Sequence, residues 1–92
     1  MRRAARTDNT QAEIVDVLRA HGCRVLRSQS PEPGHPDLIV LKPVYQEFDV
    51  ELVECKARRG KLRTAQQRLR DEGWPIVVLR SADEAMAWLR GG

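Results

Sequence analysis

Residues 34–41 read Gly-His-Pro-Asp-Leu-Ile-Val-Leu, and residues 48–56 read Phe-Asp-Val-Glu-Leu-Val-Glu-Cys-Lys. These two stretches decide the fold. From Leu38 to Leu41 the first is wholly apolar, the pattern of a short strand covered on both faces. In the second, side chains on a strand alternate, so Phe48, Val50 and Leu52 share the face of Glu54 and Lys56. Asp49 and Glu51 share the other face with Val53, Cys55 and Ala57. Each face changes character midway. That change predicts that Phe48, Val50 and Leu52 rest on a core while Glu54 and Lys56 stand at a cleft. With Asp37 on the neighbouring strand, two carboxylates and an ammonium meet in one patch. Carboxylate oxygens suit a hard divalent cation such as Mg²⁺. A lysine beside them is placed to orient water and to stabilise charge growing on a phosphate.

Working outward, the spacing of Ile14, Val17, Leu18 and His21 predicts a helix over 10–21. Asp8, Asn9 and Thr10 are its candidate caps, and Gly22 is its stop. Cys23 to Arg27 alternates as a half-buried strand. Ser28 to Pro36, with three prolines and a glycine, is a loop. Lys42 to Glu47 is expected to turn the chain, with Pro43 as breaker, before a strand over 48–57. Thr64 caps a helix to Glu72, Ile76 to Leu79 is a further strand, and Ser81 caps a last helix over 82–89. The resulting order is α-β-β-β-α-β-α: an α/β fold with a mixed sheet of about four strands flanked by helices. Residues 1–9 read as a flexible basic arm and 10–92 as a single domain.

The chain has 92 residues, 41% hydrophobic and 32% charged, which suits a folded domain rather than a disordered one. So small a chain has a limited core, and a homodimer would bury surface that one copy cannot. The net charge of +3 is modest, but its distribution is uneven. Lys56, Arg58, Arg59, Lys61, Arg63, Arg68 and Arg70 follow one another without an intervening acid. Such a run suits the phosphates of a nucleic acid, and the alternative reading is a solvated basic helix face.

Cys23 and Cys55 are the only cysteines. Both lie in apolar strand-like runs and read as buried free thiols of a reducing compartment. No apolar run approaches a membrane span, and the Arg-rich start is not followed by the apolar region of a signal peptide. The expected setting is cytoplasmic, bacterial or phage-encoded. No glycine-rich phosphate loop, Ser-His-Asp pattern or zinc-finger spacing is present, so a nucleotide cofactor is not expected.

Gly34-His35-Pro36-Asp37, then Glu54-Cys55-Lys56, then Leu62 and Gln66, resemble the PD-(D/E)XK nuclease superfamily. Within it the likeness is to small stand-alone VRR-NUC-type domains, related in fold to Holliday-junction resolvases. The resemblance spans about residues 10–85 and includes the interval of ten residues from Lys56 to Gln66. Gln67 is adjacent, and the interval alone does not separate the two glutamines. The resemblance implies a restriction-endonuclease-like core and Mg²⁺-dependent endonucleolytic hydrolysis of DNA, with branched or junction DNA as a candidate substrate and Mn²⁺ able to substitute. It also implies roles for particular residues. Asp37, Glu54 and the main-chain carbonyl of Cys55 would ligate the metal, and Glu13, from the first helix, would bind it through water or support a second ion. Lys56 would assist the attacking water, and Gln66 would fix Lys56 or contact the substrate backbone. Arg58, Arg59, Lys61, Arg63, Arg68 and Arg70 are the candidate DNA contacts.

Cysteine between Glu54 and Lys56 departs from the usual valine or isoleucine. A side chain turned to the core should tolerate that change. Rival readings accompany each residue: Asp37 as a strand cap, Glu54 with Lys56 as a plain salt bridge, Glu13 as the capping partner of Thr10, Gln66 as a solvated helix residue. For the whole chain, the rival is a non-catalytic nucleic-acid-binding or dimeric scaffold module of the same fold.

Overall fold

A computed structural model describes residues 5–29, 33–56, 62 and 64–91, with side chains from Asn9 onward. Its elements are α1 (Ala5–Ala20), β1 (Arg24–Arg27), β2 (Leu38–Val44), β3 (Glu47–Cys55), α2 (Thr64–Asp71), β4 (Ile76–Leu79) and α3 (Ala82–Leu89). The order is the expected α-β-β-β-α-β-α. The strands form one mixed sheet in the order β1-β2-β3-β4. The first three are antiparallel neighbours, and β4 runs parallel to β3. A parallel pair requires a crossover, and the segment carrying α2 supplies it.

The register assigns the two faces of the sheet. Val25 pairs with Val40, Leu38 with Val53, and Cys55 with Leu79. These residues share one face and are buried there with Ile14, Val15 and Leu18 of α1 and Ala85 of α3. Ile14, Leu18, Leu38, Val40 and Val53 have no exposed surface at all. Each such side chain contributes about 1.5–3 kcal/mol by leaving water. Trp88 packs at the margin of this core. Lys42, on the same sheet face, lies 4.5 Å from the Trp88 ring centre and donates to the Trp88 carbonyl at 3.2 Å. Ser81 caps α3 as expected: its hydroxyl accepts from the Glu84 N–H at 3.1 Å, and the Glu84 carboxylate accepts from the Arg80 N–H at 2.8 Å.

Three expectations are corrected. Helix α1 starts at Ala5, so residues 5–9 belong to the helix and not to an arm; alanine and arginine at its start are good helix formers and need no cap at Thr10. The turn is confined to Tyr45 and Gln46, with Val44 paired to Glu47, and Pro43 lies within β2 opposite Phe48. Pairing with β1 stops at Leu41, so Pro43 has a neighbour on one side alone, where sheets tolerate proline. Tyr45 takes the tight bend in the left-handed region at φ 57.

The third correction concerns the second face of the sheet. Phe48 is 45% exposed and Val50 66%, so they do not rest on a core. Both helices that cover the sheet broadly, α1 and α3, lie on the Val53 and Cys55 side. Alternation assigns residues to faces correctly, but it does not say which face the helices choose.

Candidate active site

The site forms where β2 begins and β3 ends. Leu38 is the partner of Val53, so antiparallel register sets Asp37 opposite Glu54 on the open face of the sheet. The chain entering β2 is tied down on its other side, because the Ser28 N–H donates to the Asp37 carbonyl at 2.8 Å. Oδ2 of Asp37 accepts from the Cys55 N–H at 2.9 Å. One carboxylate oxygen of Asp37 is therefore spent on fixing the end of β3.

Glu54 is 3% exposed. Its Oε2 accepts from Nε2 of Gln66 at 2.6 Å and lies 3.4 Å from Nζ of Lys56. Its Oε1 is buried without a hydrogen-bond partner among the described residues. Burial pushes the Glu54 carboxyl above its ordinary pKa, the Asp37 charge adds to this, and Lys56 and Gln66 oppose it. A buried carboxylate oxygen left unpaired costs free energy on the order of 1–3 kcal/mol or more. Such an atom in a folded protein asks for a ligand.

The donor set fits a hard divalent cation. It consists of the Glu54 carboxylate oxygen that is unpaired among the described residues and the neighbouring Asp37 carboxylate. All are oxygens, as Mg²⁺ prefers. The Cys55 thiol is not part of this set: it faces the core, where burial, with the Asp37 and Glu54 charges, pushes its pKa up to about 12. A thiol so raised is neutral and inert. Cysteine fills the usual valine or isoleucine position as a small hydrophobe, as expected.

Four of the expected residues, Asp37, Glu54, Lys56 and Gln66, come together. The choice between the two glutamines is resolved by geometry, since Gln66 reaches Glu54 while Gln67 donates to Asp71 at 3.0 Å along its own helix. Glu13 is exposed on α1. Among the described residues no three His, Cys, Asp or Glu side chains converge as a metal cluster, so Glu13 is not gathered with Asp37 and Glu54. The helix that carries it covers the opposite side of the sheet. Arg68 and Arg70 are exposed on α2. Arg58, Arg59, Lys61 and Arg63 lie outside the described residues.

One contact was not foreseen. Gly34, quoted above only as part of a motif, comes against the backbone of α2 at Ala65 and Gln66. A glycine three residues before the acidic residue was the only signal for it. His35 hydrogen-bonds with Ser28 Oγ at 2.6 Å.

A mixed α/β sheet presenting two carboxylates and a lysine at adjoining strand ends defines a nuclease-type fold of the PD-(D/E)XK kind. The VRR-NUC domain family matches residues 3–83, and the chain belongs to that family. A solved structure described as a VRR_NUC domain superposes with a TM-score of 0.70 at 21% identity, covering 91% of this chain and 94% of that one. At that identity the likeness speaks for the fold alone. No curated protein matches the chain. Among the described residues no helix is long and apolar enough to cross a membrane.

Proposed function

We propose that this protein is a divalent-metal-dependent endonuclease that hydrolyses DNA phosphodiester bonds. The observation that carries the reading is the Glu54 carboxylate: buried, beside a second carboxylate, with one oxygen engaged by Gln66 and Lys56 and the other unpaired among the described residues. A salt bridge kept only for stability would leave no such oxygen, because the cost of burying an ion pair is recovered only when its remaining lone pairs are satisfied. Asp37, Glu54 and the Cys55 carbonyl would hold Mg²⁺ or Mn²⁺. When bound, the cation supplies charge neutralisation at the phosphate and acidification of a water.

The protein's own residues do the rest. Gln66 holds one oxygen of Glu54 and so sets the direction of the other. Asp37, fixed through the Cys55 N–H, keeps β2 and β3 in register at the site. Lys56 presents an ammonium beside Glu54, positioned to hold the attacking water and to stabilise the negative charge that grows on the phosphate oxygens. Water oxygen bonds to phosphorus and gives up a proton to solvent, the bond from phosphorus to the leaving sugar oxygen breaks, and that oxygen takes a proton from solvent. Arg68 and Arg70 offer bidentate donors to the phosphates on either side.

Purified protein is expected to nick or cut plasmid and branched synthetic DNA with Mg²⁺ or Mn²⁺, and to do nothing in EDTA. Cleavage that survives EDTA overturns the reading. So does the absence of cleavage with both metals on all substrates while DNA is still bound, the behaviour of a binding module.

The protein is further proposed to act as a homodimer, which would place two sites to cut paired strands and makes junction DNA a fitting substrate. Support comes from the open sheet face. Leu26, Phe48 and Val50 are 68%, 45% and 66% exposed, and half-buried Ile39, Leu41 and Leu52 lie between them. Away from Glu54 and Lys56, the one charged side chain on this face of β1–β3 is Arg24, which stacks 5.5 Å from the centre of the Phe48 ring. With its single cation stacked on Phe48, this face offers little to phosphates. Its exposed apolar side chains are contiguous, the character of an interface centre, and a stable interface buries about 800 Å² per partner. Val50→Asp should shift sedimentation equilibrium from dimer to monomer. An unchanged association constant would remove this face from consideration.

A further inference from the structure

Helix α2 carries Gln66 to the site, yet little apolar packing holds it there. Gln66 is its one buried residue, and none of its described side chains joins the buried apolar core. An amphipathic helix is ordinarily seated by its apolar stripe. Something else must fix the distance between α2 and Glu54.

The closest approach is made by Gly34, in the loop before β2. Gly34 has φ +81, and a Cβ placed there would stand 2.7 Å from the carbonyl carbon and oxygen of Ala65 and 2.9 Å from the Gln66 nitrogen. These are backbone atoms of the first turn of α2, so no side-chain rotation relieves the overlap. Carbon contacts relax at about 3.5 Å, so any side chain at 34 would drive the helix back by roughly 0.7 Å. The bond from Gln66 to Glu54 is 2.6 Å long. A retreat of that size takes it to the outer limit of a hydrogen bond or beyond it.

We propose that Gly34 is the positioning residue of the site: its missing side chain admits the first turn of α2 to the distance at which Gln66 grips Glu54. Gly34 touches neither substrate nor metal; it acts through Gln66. The catalytic meaning rests on the nuclease reading above, whereas the packing relation does not. A loop residue thereby sets the orientation of a carboxylate on β3 through a helix that follows both in the chain.

Two effects must be separated, because glycine at positive φ is also favoured for its backbone alone. Gly73 is the internal control. Its φ is +105, and an added Cβ there meets nothing within 4 Å. Gly73→Ala therefore carries the backbone penalty without the collision. Gly34→Asn carries the collision with less backbone penalty, since asparagine tolerates the left-handed region.

The test reads the side-chain NH₂ of Gln66 by ¹⁵N-correlated NMR on metal-free protein, with Gln66→Ala identifying the signal by its loss. In the unaltered protein one proton of the pair is expected downfield and slow to exchange, as a donor to a buried carboxylate. Gly34→Ala and Gly34→Asn should both return the pair to the position of a solvated glutamine, and Gly73→Ala should leave it in place. An unmoved Gln66 signal in both Gly34 variants overturns the proposal. On DNA, Gly34→Ala should lower kcat about tenfold with KM nearly unchanged, and adding Gln66→Ala should cause no further loss. Additive losses would show that Gly34 acts by another route, and would also overturn it. If the unaltered protein cuts no DNA, the nuclease reading fails, and the amide signal still decides the role of Gly34.

Discussion

Replacing Lys56 with alanine is expected to lower kcat for DNA cleavage by about a thousandfold, the scale seen when one group that stabilises transition-state charge is removed. KM for DNA should change little, because on the proposed reading Arg68 and Arg70 would bind the backbone in ground and transition state alike. Lys56 is well placed for so specific a loss. Its N–H is tied to the Leu79 carbonyl at 3.0 Å, so the backbone at the end of β3 is held by β4 whatever side chain follows. The side chain is 15% exposed and lies 3.4 Å from Glu54, so its removal empties little core. Arginine should not restore activity, since a planar fork does not reproduce a compact ammonium beside a carboxylate. Steady-state kinetics on a single nicked or branched substrate read the split between kcat and KM directly. An unchanged kcat would strip Lys56 of its role and leave the Glu54 contact as an ordinary ion pair.

Why Lys56 was legible in the sequence while Gly34 was not follows from where each contact is made. Glu54 and Lys56 lie two residues apart on one strand, and period-2 alternation puts them on the same side without any knowledge of the rest. Asp37 needed one further assumption, that β2 and β3 are antiparallel neighbours, and the register bears it out. Gln66 needed the family interval, because only a crossover connection returns α2 to the end of β3. The contact of Gly34 with Ala65 joins a loop to a helix 31 residues later through atoms all residues share. No side-chain pattern encodes a backbone-to-backbone approach, so sequence offers only the bare glycine.

The same reasoning accounts for the misread face of β3. Phe48, Val50 and Leu52 are as apolar as the residues that form the core, and alternation alone treats the two faces as equals. The choice was made by α1, whose Ile14, Val15 and Leu18 seat against Val25, Leu38, Val40 and Val53. The place of Glu13 follows from the same choice. It neighbours Ile14 on a helix turned to the Val53 side of the sheet, away from the face that carries Glu54. Pro43 was misread for a different reason: a breaker signal is weaker where one flank of the strand is already unpaired.

Glu54→Gln is expected to stabilise the metal-free protein at neutral pH while removing its response to metal. Burial first, and the Asp37 charge second, raise the Glu54 pKa in the folded state. A raised folded pKa means that the folded protein holds this proton more tightly than the unfolded chain does. The stabilising effect of protonation is complete below the ordinary carboxylate pKa and is lost as pH rises through the folded value. Above that window the charged form is the one that burial penalises, a cost the neutral amide avoids while still accepting from Gln66. A gain on the order of 1 kcal/mol would raise Tm by several degrees in a chain this size. The gain should shrink as pH falls toward and below the ordinary carboxylate pKa, where the unfolded chain takes up the proton as well. Millimolar Mn²⁺ should raise Tm of the unaltered protein by ligand linkage and leave Glu54→Gln unmoved, because the amide lacks the charge that a hard cation needs. Thermal melts at pH 4.5 and 7.5, each with EDTA or Mn²⁺, contain the whole comparison. A lower Tm for Glu54→Gln at neutral pH in EDTA would mean that the ion pair with Lys56 outweighs desolvation, and that the buried carboxylate is kept for stability. A Mn²⁺ shift that persists in the variant would place the metal elsewhere. The opposite pair of results identifies a carboxylate held at a cost to the fold, which is how a site poised for a cation differs from one built only to pack.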